Sequence, residues 1–89
     1  METYYIIFMG RVQGVGFRYY LQNYAQKLNL KGTVKNLDNG MVEAYVSGDY
    51  DKVNLLINTV KCANPYIRID DYRIKKVPYK EFKDFSVRY

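Results

Sequence analysis

The sequence predicts an α+β fold, one layer of strands with two helices packed on one of its faces. Three observations predict it. Strand-forming runs stand at the start, middle and end of the chain, beginning with Tyr4-Tyr5-Ile6-Ile7-Phe8. Between them lie two stretches with apolar residues at helical offsets: Leu21, Tyr24, Ala25, Leu28 and then Val53, Leu56, Ile57, Val60. A hairpin signal, Asp38-Asn39-Gly40, falls between the helical stretches, and its Asn-Gly pair accommodates positive φ. Eighty-nine residues supply one core and not two, so a single domain over 1–89 is expected. No repeat, low-complexity segment or interdomain linker interrupts it.

Taken in order, residues 3–11 read as a first strand, apolar on both faces and therefore central. A glycine-containing turn follows, and a helix runs from Phe17 to about Leu28, where Asn29 and Gly32 supply stop and turn signals. Residues 32–37 and 41–47 are the two arms of the hairpin. Gly48 breaks the second arm, and Asp49 is placed to cap a second helix reaching about Lys61. Asn64-Pro65 ends the next connection. The long strand 66–77 slips phase, with Ile67 and Ile69 on one parity and Tyr72 and Ile74 on the other, which predicts a bulge near Asp70-Asp71. After Pro78 a polar connection leads to a short last strand, 85–89.

This order, with right-handed crossovers, is the βαββαβ split βαβ of a ferredoxin-like sandwich: an antiparallel sheet, two helices on one face and a short C-terminal strand added. In that topology strands one and two run parallel with strand three between them. Their C-terminal ends share an edge, so Arg18 after the first strand and Asn36 at the end of the second are expected to form one site.

Composition narrows the chemistry. The chain has no histidine, which removes the commonest general base and the Ser-His and Cys-His nucleophile pairs. Cys62 is the only cysteine, so neither an intramolecular disulfide nor a Cys/His metal cluster is expected. A formal charge of +5 favours anionic partners, or serves solubility alone. The lysines are scattered rather than blocked, so no nucleic-acid-binding tail stands out. No apolar run has the length of a membrane span and no charged-then-apolar leader opens the chain, so a cytoplasmic protein is expected.

The most informative stretch is Gly10-Arg11-Val12-Gln13-Gly14-Val15-Gly16-Phe17-Arg18. A glycine turn from strand to helix turns several backbone N–H groups to one side, and the helix dipole adds positive potential there. Arg18 supplies a charge with two parallel donors. The spacing is not the dinucleotide pattern, because Tyr19 takes the place of its third glycine, and no Gly-Lys-Ser/Thr follows for a Walker loop. On the loop alone, a plain strain-relieving turn accounts for the glycines equally well.

The literal residues resemble the signature loop of the acylphosphatase family, G-x-V-Q-G-V-x-F-R. A second block, Gly32-Thr33-Val34-Lys35-Asn36, continuing to Gly40 and Val42 and closed by Gly48, is similar to that family's other signature. Thr33 stands where the family often has an aromatic residue and Phe8 where a branched aliphatic is usual. Neither removes a group the chemistry needs. The resemblance implies hydrolysis of small acyl phosphates by a free-standing monomer, with no metal and no cofactor. It implies that Arg18 and the backbone N–H groups of Gln13, Gly14, Val15, Gly16, Phe17 and Arg18 hold the phosphoryl oxygens, while Asn36 orients the attacking water. Two other readings of the fold are a silent module that binds acyl or carbamoyl phosphate, and an RNA-binding domain. Glu43 in the third strand, where RNA-binding relatives of this fold want a basic, aromatic surface, argues against the latter, and no nucleic-acid or membrane partner is expected. Asp70 and Asp71 are a weak carboxylate pair, because adjacent strand residues point to opposite faces.

Overall fold

A computed structural model describes all residues, Met1–Tyr89. Its elements are β1 (Glu2–Arg11), α1 (Phe17–Lys27), β2 (Lys31–Asn36), β3 (Val42–Gly48), α2 (Tyr50–Val60), β4 (Arg68–Val77) and β5 (Phe85–Arg88). The strands form one sheet in the order β4-β1-β3-β2-β5. β3 lies between β1 and β2 and runs antiparallel to both, so β1 and β2 are parallel and end at the same edge. This is the ferredoxin-like arrangement. No helix is long and apolar enough to cross a membrane.

The sheet is mixed rather than wholly antiparallel, because β5 pairs with β2 in parallel. The cause is the path of residues 78–84. That connection is tied at the Thr3–Ser47 end of the sheet: Lys80 N–H donates to Thr3 Oγ1 at 2.8 Å and Ser47 Oγ donates to the Lys80 carbonyl at 2.7 Å. It crosses to the far edge, where Gly32 N–H donates to the Asp84 carbonyl at 2.9 Å. A strand reversed relative to β4 then runs with β1, and so with β2.

β1 is central, as expected, yet it is not buried on both faces. Tyr4, Ile6 and Phe8 enter the core while Tyr5, Ile7 and Met9 are half-buried on the other side. Helices cover only one face, and on the open face Tyr5 and Tyr45 pack against each other with ring centres 4.8 Å apart. The bulge in β4 is where the phase slip places it: Met9 pairs with Asp71 and Gly10 with Ile69, leaving Asp70 unpaired.

Eighteen buried residues form the core between sheet and helices. Leu21 and Ala25 of α1 and Val53, Leu56, Ile57 and Val60 of α2 face it, whereas Tyr24 and Leu28 pack at its rim. Phe17, the first residue of α1, is buried edge-on against Phe8 with ring centres 4.9 Å apart. That anchor fixes where α1 begins and hence where Arg18 stands. Asp49 occupies the N-cap of α2 with extended backbone, but its carboxylate makes no capping hydrogen bond.

Candidate active site

The site forms where β1 hands over to α1. Val12 is buried under the turn, and Gly14 (φ 73°) and Gly16 (φ 79°) take the left-handed conformation that side chains disfavour. Gly16 is the N-cap of α1, and no side chain caps that helix. The N–H groups from Gln13 to Tyr19 donate to no acceptor of the chain; the first helical donor is Tyr20 N–H, to the Gly16 carbonyl at 3.0 Å. A run of free donors at a helix N-terminus attracts an anion. Nothing acidic opposes it, since the first turn of α1 carries no carboxylate.

Side chains hold this loop from outside. Gln13 Nε2 donates to the Leu37 carbonyl at 2.8 Å and to the Met41 carbonyl at 2.9 Å, tying the loop to the hairpin that carries Asn36. Asn64 Nδ2 donates to the Val15 carbonyl at 3.1 Å. In the sequence only the backbone of Gln13 has an evident role and Asn64 marks only the end of a connection, so both side-chain contacts are features of the folded chain. The dipeptide Asn64-Pro65 did signal a turn, but the partner of its amide lies 49 residues away and leaves no local trace.

Arg18 and Asn36 line one open groove of about 550 Å³, together with Gly14, Gly16 and Phe17. Val12, Tyr19, Gln22, Ser86, Val87 and Tyr89 make the rest of its wall, and no lining residue is acidic. The guanidinium of Arg18 is held from the C-terminal side: Nη1 donates to the Arg88 carbonyl at 3.0 Å and Cζ sits 4.7 Å from the centre of the Tyr89 ring. That hold leaves most of its five donors unused. Asn36 is half-buried, and its Oδ1 is the one buried side-chain oxygen or nitrogen without a hydrogen-bond partner. Such an atom costs stability unless something else occupies it. The contribution of Ser86, Val87 and Tyr89 was not foreseen, because it depends on β5 lying beside β2.

The other candidates lie elsewhere. Asp70 is engaged by Arg68 Nε at 2.7 Å, and Asp71 lies 3.7 Å from Arg73 Nε, both at the surface of β4. The Asp70 carboxylate raises the Arg68 guanidinium further above its already high pKa. On the open sheet face Tyr5 donates to Glu43 Oε1 at 2.7 Å, and this bond, with burial, pushes the phenol up to about 12. Cys62 is exposed and away from the groove.

A family model described as Acylphosphatase matches residues 4–87. The chain belongs to the acylphosphatase family. Its similarity to individual members spans whole chains. It is 41% identical to an acylphosphatase of Clostridium beijerinckii over all of both proteins, and 37% identical to one of Bacillus pumilus over 99% of each. The crystal structure of the Bacillus subtilis acylphosphatase superposes with a TM-score of 0.91 at 39% identity, covering both chains completely. With the family comes its enzymatic character: the chain is an acylphosphatase-family hydrolase.

Proposed function

We propose that the groove hydrolyses the carboxyl–phosphate bond of small acyl phosphates, with Arg18 and Asn36 as its catalytic residues. The observation that carries this reading is a single acid-free groove containing free loop N–H groups, a guanidinium and an unpartnered amide oxygen. The N–H groups of Gln13 to Arg18 and the free donors of Arg18 receive the phosphoryl oxygens, whose charge they balance in the transition state. Asn36 Oδ1 accepts a hydrogen bond from a water and aims its lone pair at phosphorus. A carboxylate in that place would repel the phosphate, whereas an amide stays neutral.

The water oxygen bonds to phosphorus as the bond from phosphorus to the acyl oxygen breaks. The carboxylate leaves with the electron pair, and the water's proton passes to solvent or to a phosphate oxygen. A carboxylate is a stable leaving group, so the step needs no strong acid, which suits a histidine-free chain. The acyl half extends toward Tyr19 and Tyr89, the exposed end of the groove. Every group invoked comes from one chain, and we propose that the monomer is the active form.

The reading is tested by phosphate release from acetyl phosphate in the presence of chelator. Arg18→Ala and Asn36→Ala should each lower kcat/KM on the order of a hundred- to a thousandfold while remaining folded by circular dichroism. Arg18→Ala should act chiefly through KM and Asn36→Ala through kcat. Wild-type protein that binds inorganic phosphate without turnover would make the groove a binding module instead.

A further inference from the structure

Val15 differs from its neighbours in the loop. Gly14 and Gly16, on either side of it, line the groove, and Val15 does not. Its carbonyl is turned to the far side, where it accepts from Asn64 Nδ2 at 3.1 Å. Asn64 is itself held in one orientation. Its Oδ1 accepts from Tyr66 N–H at 2.7 Å and from Ile67 N–H at 3.1 Å. With the oxygen engaged by two backbone donors, the amide nitrogen is the end left for Val15.

The Val15 carbonyl and the Gly16 N–H belong to one peptide group, which is trans, so they point in opposite directions. Holding the carbonyl outside aims the Gly16 N–H into the groove that Gly16 lines. Turning this peptide over changes ψ of Val15 and φ of Gly16, and a glycine at the second position, already in the left-handed region, offers little resistance of its own. A reversed peptide would put a carbonyl oxygen where an anion has to sit.

We propose that Asn64 is a positioning residue that locks the Val15–Gly16 peptide with its N–H toward the bound phosphoryl group. The inference rests on the reading of the groove as a phosphate site and deepens it. Asn64 touches no substrate atom and acts only through Val15.

The test compares wild type with Asn64→Ser. Serine keeps an oxygen for the N–H groups of the turn and offers no donor that reaches Val15. Inorganic phosphate is titrated while the Gly16 amide resonance is followed by 15N–1H NMR, and KM and kcat are measured with acetyl phosphate. Asn64→Ser should weaken phosphate binding and raise KM roughly five- to twentyfold, with kcat within about threefold of wild type. Its Gly16 resonance should lose the phosphate-dependent shift. If Asn64→Ser melts early, Asn64→Asp replaces it, since the oxygen that accepts from both turn N–H groups is retained, the donor is lost, and the Gly16 resonance separates lost orientation from added charge. A folded variant with wild-type phosphate affinity and a wild-type Gly16 shift overturns the proposal. Wild type that binds no phosphate overturns it together with the functional reading. Wild type that binds phosphate but hydrolyses nothing overturns only the latter.

Discussion

The two helices begin in the same way and are furnished in opposite ways. Each closes its first turn with the same bond, Tyr20 N–H to the Gly16 carbonyl in α1 and Val53 N–H to the Asp49 carbonyl in α2, both at 3.0 Å. Neither has a side-chain cap bond. At the N-cap, however, α1 has a left-handed glycine and α2 an extended aspartate. At the second helical position α1 has Arg18 and α2 has Asp51. Negative charge in a first turn favours a helix by about 0.3–1 kcal/mol and positive charge opposes it by a similar amount. α2 therefore balances its dipole with its own residues. α1 places a cation on its own positive end, which is a coherent arrangement when an external anion completes it.

The sharpest way to break the comparison is to give α1 the residue of α2. Arg18→Asp should remove the guanidinium and place a carboxylate against the phosphoryl group, lowering kcat/KM roughly a thousandfold or more. The helix itself should gain, although the bond to the Arg88 carbonyl and the stacking on Tyr89 are lost. Steady-state kinetics with circular dichroism on the same sample checks both parts. A variant that keeps activity within tenfold would remove Arg18 from the chemistry.

A smaller effect separates the helices by ligand response. A ligand that binds only the folded state at ten times its Kd raises stability by about 1.4 kcal/mol. Inorganic phosphate at that ratio should raise the melting temperature of wild type and of Asp51→Arg alike, and leave Arg18→Asp unmoved. Thermal melts across a phosphate series read this directly, with sulfate-free buffer to avoid competition. Stabilisation that survives in Arg18→Asp would place the phosphate somewhere other than the α1 terminus.

Much of this arrangement was legible in the chain. Arg18 and Asn36 were expected together because the topology sets the ends of β1 and β2 at one edge, a consequence of strand direction rather than of side-chain detail. The bulge opposite Gly10 showed as a change of parity between Ile69 and Tyr72. What could not be read depends on contacts between segments with no local signature. The Thr3–Ser47–Lys80 hydrogen bonds decide where residues 78–84 cross, and so that β5 joins β2 in parallel and brings Val87 and Tyr89 to the groove. The second apolar parity of β1 suggested a strand buried on both sides, whereas the Tyr5–Tyr45 pair half-covers an open face instead. Asn64 looked like punctuation, because a turn-forming amide and a loop-holding amide have the same letter.

The smallest effect is the reciprocal exchange, Asp51→Arg. Asp51 is exposed, takes part in no ion pair and lies outside the groove. Its only evident role is charge at the α2 terminus, where two carboxylates stand close to unpaired N–H groups. Replacing it should cost about 0.5–1 kcal/mol in urea unfolding, less at high salt, because exposed charges are screened within about 10 Å at 0.1 M ionic strength. Activity on acetyl phosphate should stay at the wild-type value. The same charge, arginine at the second position of a first turn, would then be unfavourable in α2 and indispensable in α1. Only an anion bound at α1 makes that difference, so a fall in activity with Asp51→Arg matching its fall in stability would mean that the two termini are not independent.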